Sequence, residues 1–144
     1  MSRADDVDEI RQLLARIFHY GDDQDVDRWL DCYTDDAIFR SSRIDMDGRD
    51  ELRAGFPFLR GTSPTRHWIG NIVCDVDGDE ASSVAYLLVV SATFPPTPVC
   101  SGVYHDRFRR VDGRWLFSER VLTMDGEAEM AAAMAAGGAH PSKA

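Results

Sequence analysis

Apolar residues near the start of the chain recur with helical spacing. Ile10, Leu13, Leu14, Ile17 and Phe18 stand at i, i+3, i+4, i+7 and i+8, one stripe of an α-helix over residues 6–20. Asp5 or Asp6 is placed to cap its start and Gly21 to end it. Val26, Trp29, Leu30 and Tyr33 repeat the pattern and predict a second helix over residues 25–33. The polar link Gly21-Asp22-Asp23-Gln24 is too short to be a domain linker, so the helices should pack as a pair.

Beyond Asp36 the period changes. Short strands are expected at 37–40 and 42–46, then a helix at 50–58 carrying Leu52 and Phe56 and stopped near Pro57. Everything from residue 66 reads as β: strands at 66–76, 81–94, 99–111 and 114–124, with turns at Asp77-Gly78-Asp79 and Asp112-Gly113 and a break at Pro95-Pro96-Thr97-Pro98. Helices followed by an antiparallel meander argue for an α+β domain over residues 1–124. Residues 125–144, rich in Ala, Gly and Met, form a tail that reads as a loose helix, a lid or a disordered segment. Trp68, Ile72 and Val76 alternate with Ile69 and Val73, and residues 84–90 are nearly all apolar, so both faces of the sheet should be covered. A second covered face predicts a homo-oligomer, a dimer or trimer.

Composition narrows the function. At 144 residues, 44% hydrophobic and 28% charged, the chain has the size and balance of one globular domain. A net charge of −9 argues against nucleic acid or anionic lipid as partner. No apolar run approaches the roughly 20 residues of a membrane span. The acidic MSRADDVDEI start has no apolar signal core, so the expected location is cytoplasmic. Cys32, Cys74 and Cys100 lack CxxC spacing, which favours reduced thiols over disulfides or a zinc site. With no nucleotide-binding, HExxH or GxSxG motif, neither a cofactor nor a metal is expected.

The element order, closing on Tyr104-x-Asp106-x-Phe108-x-Arg110-x-Asp112-Gly113-x-Trp115-x-Phe117, resembles the SnoaL-like branch of the nuclear-transport-factor-two superfamily, which includes scytalone dehydratase and ketosteroid isomerase. The resemblance implies a conical, barrel-like curved sheet, mixed or antiparallel, wrapped around the N-terminal helices and enclosing an apolar pocket. Asp22-Asp23-Gln24-Asp25-Val26-Asp27-Arg28 resembles the scytalone dehydratase stretch with its catalytic aspartate, matched by Asp22. Thr65-Arg66-His67-Trp68-Ile69-Gly70 resembles the stretch with its catalytic histidine, matched by His67. The likeness implies a His–Asp dyad. The family's tyrosines would fall near Gly21 and Phe39, and its second pocket histidine near Ser91, so that leaving-group machinery is mostly missing.

His67 shares a strand face with Ile69, Asn71 and Val73, which makes it either a general base in the pocket or a buried histidine bonded to a backbone carbonyl. Asp22 either orients that imidazole or caps the next helix in solvent. Tyr104, Asp106 and Phe108 share a face. Asp106-x-Phe108 resembles the ketosteroid isomerase strand carrying the oxyanion-hole acid, a carboxylic acid kept neutral by its apolar site. Asp106 is then a hydrogen-bond donor with Tyr104 beside it, or else the ion-pair partner of Arg107 or Arg120. Tyr20, Phe39 and Asn71 complete the expected substrate contacts, with Trp68 facing outwards. Together these features predict a cofactor-independent lyase or isomerase, a dehydratase first, acting on an apolar carbonyl-bearing polycyclic or aromatic small molecule. The alternatives are a polyketide cyclase using the same enolate, a ligand-binding module, or the small subunit of an aromatic-ring-hydroxylating dioxygenase.

Overall fold

The computed structural model describes residues 2–136. Helix α1 (Arg3–Asp22) buries Ile10, Leu13, Leu14, Ile17 and Phe18, as the stripe requires, and adds Gly21 to the same face. Ser2, rather than Asp5 or Asp6, is its N-cap: Ser2 Oγ accepts from the Asp5 N–H at 3.2 Å, and Asp5 Oδ2 accepts from the Ser2 N–H at 2.8 Å. The helix also runs through Gly21 instead of ending there, which puts Asp22 on its last turn. Helix α2 (Val26–Leu30) is short, and Asp25 caps it by accepting from the Arg28 N–H.

Among the described residues six strands follow in one sheet: β1 (Tyr33–Ser41), β2 (Asp45–Asp47), β3 (Thr65–Asp77), β4 (Glu80–Ser91), β5 (Pro98–Val111) and β6 (Arg114–Met124). Helix α3 (Gly48–Arg60) lies between β2 and β3, and α4 (Glu127–Ala135) follows β6. The expected tail thus includes a helix, and its last residues, 137–144, lie outside the described residues. The spatial order is β2-β1-β6-β5-β4-β3. All neighbours are antiparallel except β1 and β6, which run parallel with Phe39 opposite Arg120.

This sheet is open. β2 and β3 are its two edges, five strand spacings of about 4.8 Å apart along the sheet, and no ladder joins them. The expectation of a conical barrel-like wrap is therefore wrong: the α+β class and the mixed sheet hold, but the sheet neither closes nor curls. The three-residue β2 is too short to carry a further closing ladder. The core instead fills the space between one sheet face and α1–α3, where Trp29, Tyr33, Phe39, Phe56, Phe108 and Phe117 are buried.

The other face of the single chain is apolar in places. On β4, Ala81, Ser83, Ala85, Leu87 and Val89 point inward while Val84, Tyr86 and Leu88 stay exposed. Trp68 and Val73 of β3 are exposed beside them. The two-sided apolar pattern of these strands is this outer patch. Among the described residues no helix is long and apolar enough to cross a membrane, and the three cysteines are unpaired.

Candidate active site

Asp22 and His67, 45 positions apart, meet where the end of α1 crosses the start of β3. The carboxylate holds the histidine twice: Nδ1–H donates to Oδ1 at 2.5 Å, and the backbone N–H donates to Oδ2 at 3.0 Å. Both side chains are buried. The ring lies nearly parallel to Phe18, 5.4 Å between centroids with planes 10° apart, so its tilt is set by packing as well as by the acid. With Nδ1 committed to Asp22, Nε2 is the ring nitrogen left for a ligand.

Burial alone would raise the Asp22 pKa. The hydrogen bonds from the His67 ring and backbone, with the charges of His67 and Arg60, outweigh it and hold the carboxyl below its usual range. A depressed folded-state value contributes stability above the unfolded carboxylate pKa of about 4, and that contribution is lost as pH falls through the lower folded value. Thermal melts below about pH 4 should therefore show a shallower acid-induced fall in Tm for Asp22→Asn than for the native chain. An identical fall would remove the claim that this carboxylate is held ionised by its partners.

His67 stands between two spaces. Outside it is a cleft of about 430 Å³ bounded by Phe18, His19, Asp22, Asp23, Arg66 and Trp68. Inside it is a cavity of about 130 Å³ between α3 and the sheet, with an apolar lining that includes Leu59, Leu87, Val89 and Leu122, and with Ser41, Arg43, Arg60 and Tyr104 as polar groups beside His67. A larger depression of about 510 Å³ lies elsewhere, walled by Asp75, Glu80, Arg107 and Glu119, and contains neither dyad residue. We take the inner cavity as the site because it joins an apolar lining to convergent polar groups.

Of the other expected contacts, only Tyr104 lines this cavity, and burial pushes its hydroxyl pKa up, which keeps it a neutral donor. Phe39 is core, 2% exposed, and bounds neither space. Tyr20 is half-buried under the Arg28 guanidinium and also bounds neither. Asn71 is exposed on the opposite face. The strand pairing slips between Gly70 and Val73, where Asn71 has φ 50°, so His67 and Ile69 point inward and then Ile72, Cys74 and Val76 take over. The expected face His67-Ile69-Asn71-Val73 is broken by this bulge.

Asp106 is inward-facing and fully buried, but it is not a neutral donor. Arg120 grips it bidentately, Nε to Oδ1 at 2.8 Å and Nη2 to Oδ2 at 3.1 Å. Both pKa values move up, for different reasons. Burial raises the Asp106 pKa against the attraction of Arg120; burial would lower that of Arg120, but Asp106 reverses this and moves it up. The two parallel bonds decide for an ionised pair. Three aromatic rings enclose the guanidinium, with centroids 4.0 Å (Tyr104), 4.3 Å (Phe117) and 5.3 Å (Phe18) from its carbon.

Sequence reasoning misses Arg60. Ending the helix near Pro57 puts this residue in a surface loop. Helix α3 continues through Pro57, whose carbonyl accepts from the Gly61 N–H at 2.9 Å, and its final residue turns inward. Among the described residues no group of three or more His, Cys, Asp or Glu side chains is arranged to hold a metal ion.

The profile of the SnoaL-like domain matches residues 2–121. The chain belongs to this SnoaL-like family. The SnoaL-like chain is similar to a protein of unknown function with a cystatin-like fold from Nostoc punctiforme, at 27% identity and TM-score 0.80 over 88% of this chain and 96% of that one. It is also similar to a protein of unknown function from Mycobacterium tuberculosis, at 29% identity and TM-score 0.79 over 85% and 78%. A protein from Catenulispora acidiphila solved in complex with S-DNPA shares the fold at 24% identity and TM-score 0.79, over 89% and 99%. A search of the curated proteins finds no match. The SnoaL-like fold hosts several chemistries, so the reaction has to be read from the site itself.

Proposed function

We propose that this SnoaL-like protein is a cofactor-independent lyase or isomerase, a dehydratase first, acting on an apolar carbonyl compound with an aromatic or polycyclic body. One observation carries the reading: the imidazole of His67, held by Asp22 at 2.5 Å, borders an apolar cavity. His67 Nε2 takes the proton α to the carbonyl, and the C–H electron pair becomes an enolate. Asp22 fixes the tautomer and balances the imidazolium that forms. Return of that proton to a β-hydroxyl expels water; return to another carbon completes an isomerisation. Tyr104 is the neutral donor on the cavity wall.

Gly21, Phe39 and Ser91 stand about where the resembled enzyme has its tyrosines and second histidine, so proton abstraction is the step that this chain's own side chains equip. The test therefore reads proton abstraction alone. Incubated in D₂O with ketones graded from one ring (phenylacetone) to two (2-tetralone), because a cavity of about 130 Å³ is near the size that holds one benzene ring, the native protein should speed α-hydrogen exchange, followed by NMR, above an equal concentration of His67→Gln. Equal exchange rates across the set would favour the ligand-binding module instead.

A further inference from the structure

Arg60 buries an arginine side chain that is only 6% exposed at the wall of the cavity. Its Nε and Nη1 atoms are buried without a hydrogen-bond partner among the described residues. The nearest carboxylate oxygen among the described residues is Asp22 Oδ1, 3.9 Å from Nη1. That distance gives attraction but no hydrogen bond, and this oxygen already accepts from the His67 ring. The neighbouring buried cation, Arg120, has its charge matched by Asp106. Arg60 is thus the buried cation of the cavity wall with donors still open; Arg43, the other arginine there, is exposed and lies over the Phe58 ring.

The chain makes room for this group at Gly21. A Cβ there would stand 2.7 Å from Arg60 Nη1 and 3.0 Å from its Cζ, so the guanidinium lies directly against the bare helix backbone. Gly21 is also where the family resemblance places a tyrosine. A guanidinium stays protonated even when burial lowers its pKa, and it offers a planar fork of N–H donors. Burying such a group with unfilled donors destabilises the fold, and an oxygen ligand that fills them reverses the loss.

We propose that Arg60 is the cavity's receptor for an anionic oxygen, and that the ligand of this site is an aromatic molecule bearing a carboxylate or a phenolate-type oxygen. The inference rests on reading the cavity as the ligand site. It deepens the proposed function, because the same fork would hold an enolate oxygen as charge moves onto it. Arg60 then takes the place that the resemblance gave to Asp106.

The probes are benzoate and 4-nitrophenolate, with methyl benzoate and nitrobenzene as neutral counterparts, titrated against the full chain by NMR at a pH where both anions are ionised. Each charge-assisted hydrogen bond strengthens binding by about tenfold or more. At least one anion should therefore bind about 10- to 100-fold tighter than its neutral counterpart. Arg60→Met should abolish that preference while leaving the neutral probes unchanged, and Arg60→Lys should restore some of it. Preference for benzoate alone identifies a carboxylate ligand, for nitrophenolate alone a phenolate-type one, and for both a general receptor. No anion preference in the native chain, or a preference that survives in Arg60→Met, overturns the proposal. Should Arg60→Met fail to fold, Gly21→Ala serves in its place, since its Cβ displaces the guanidinium while keeping the charge; an unaltered preference there overturns the proposal equally. None of these readouts needs turnover, so anion preference without ketone exchange would sink the dyad and spare Arg60, and exchange without preference the reverse.

Discussion

His67→Gln is expected to slow α-proton exchange by roughly 10²–10⁴-fold, the usual contribution of a positioned general base. Glutamine approximates the size of the ring without its basicity, so the stacking place beside Phe18 stays filled. Asp22→Asn should fall in the same range for a different reason. An amide keeps an acceptor for the backbone N–H of His67 but can turn its NH₂ towards Nδ1, which reverses the tautomer and puts the proton on Nε2. KM should move little in either variant, because neither change removes apolar cavity wall. Because the two residues act as one unit, the double variant should be barely slower than either single one. Losses that multiply instead would show that His67 and Asp22 work independently.

The second large effect is on stability. Asp106→Asn is expected to destabilise the fold by about 3–5 kcal/mol, since it strands the Arg120 guanidinium among aromatic rings without its counter-charge. Arg120→Met strands the carboxylate instead, which burial drives towards protonation. Its folded-state pKa then lies above the unfolded one, so the variant is least impaired in mild acid and loses further stability as pH rises through neutrality. The double variant Asp106→Leu/Arg120→Met should recover most of the loss, because a buried pair seldom outperforms apolar residues of similar volume. Urea titrations of the native chain, Asp106→Leu, Arg120→Met and the double variant measure the cycle. Additive losses in the double variant would mean that the pair is not the source of the energy.

How far the amino-acid order can be read depends on the range of the interaction concerned. The stripe Ile10–Phe18 and the alternation along Tyr104, Asp106 and Phe108 are local periodicities, and both recur in the structure. The Asp22–His67 contact spans 45 positions and leaves no periodic trace; only the family likeness points to it. Two single residues mislead, and a third leaves a choice open. Pro57 looks like a helix stop, yet it sits in the last turn of α3, and the residues beyond it include Arg60. Asn71 looks inward by alternation, but one bulge reverses the count after Gly70. Asp106 reads as donor or ion pair alike because its partner, Arg120, lies on the next strand, and cross-strand register is invisible to spacing. The barrel expectation comes from the family shape, and the unjoined edges β2 and β3 overrule it.

The parallel pairing of β1 with β6 has a consequence for how the molecule is made. Strand β1 is the first of the six described strands to leave the ribosome, but the neighbour that connects its hairpin to the meander is the last of those six. Until then the sheet exists only as separate fragments, and aromatic residues such as Tyr33 and Phe39 lack the Phe117 and Arg120 positions they face. Such long-separation pairing slows assembly, which makes the nascent chain, rather than the finished protein, the stage most open to capture by chaperones.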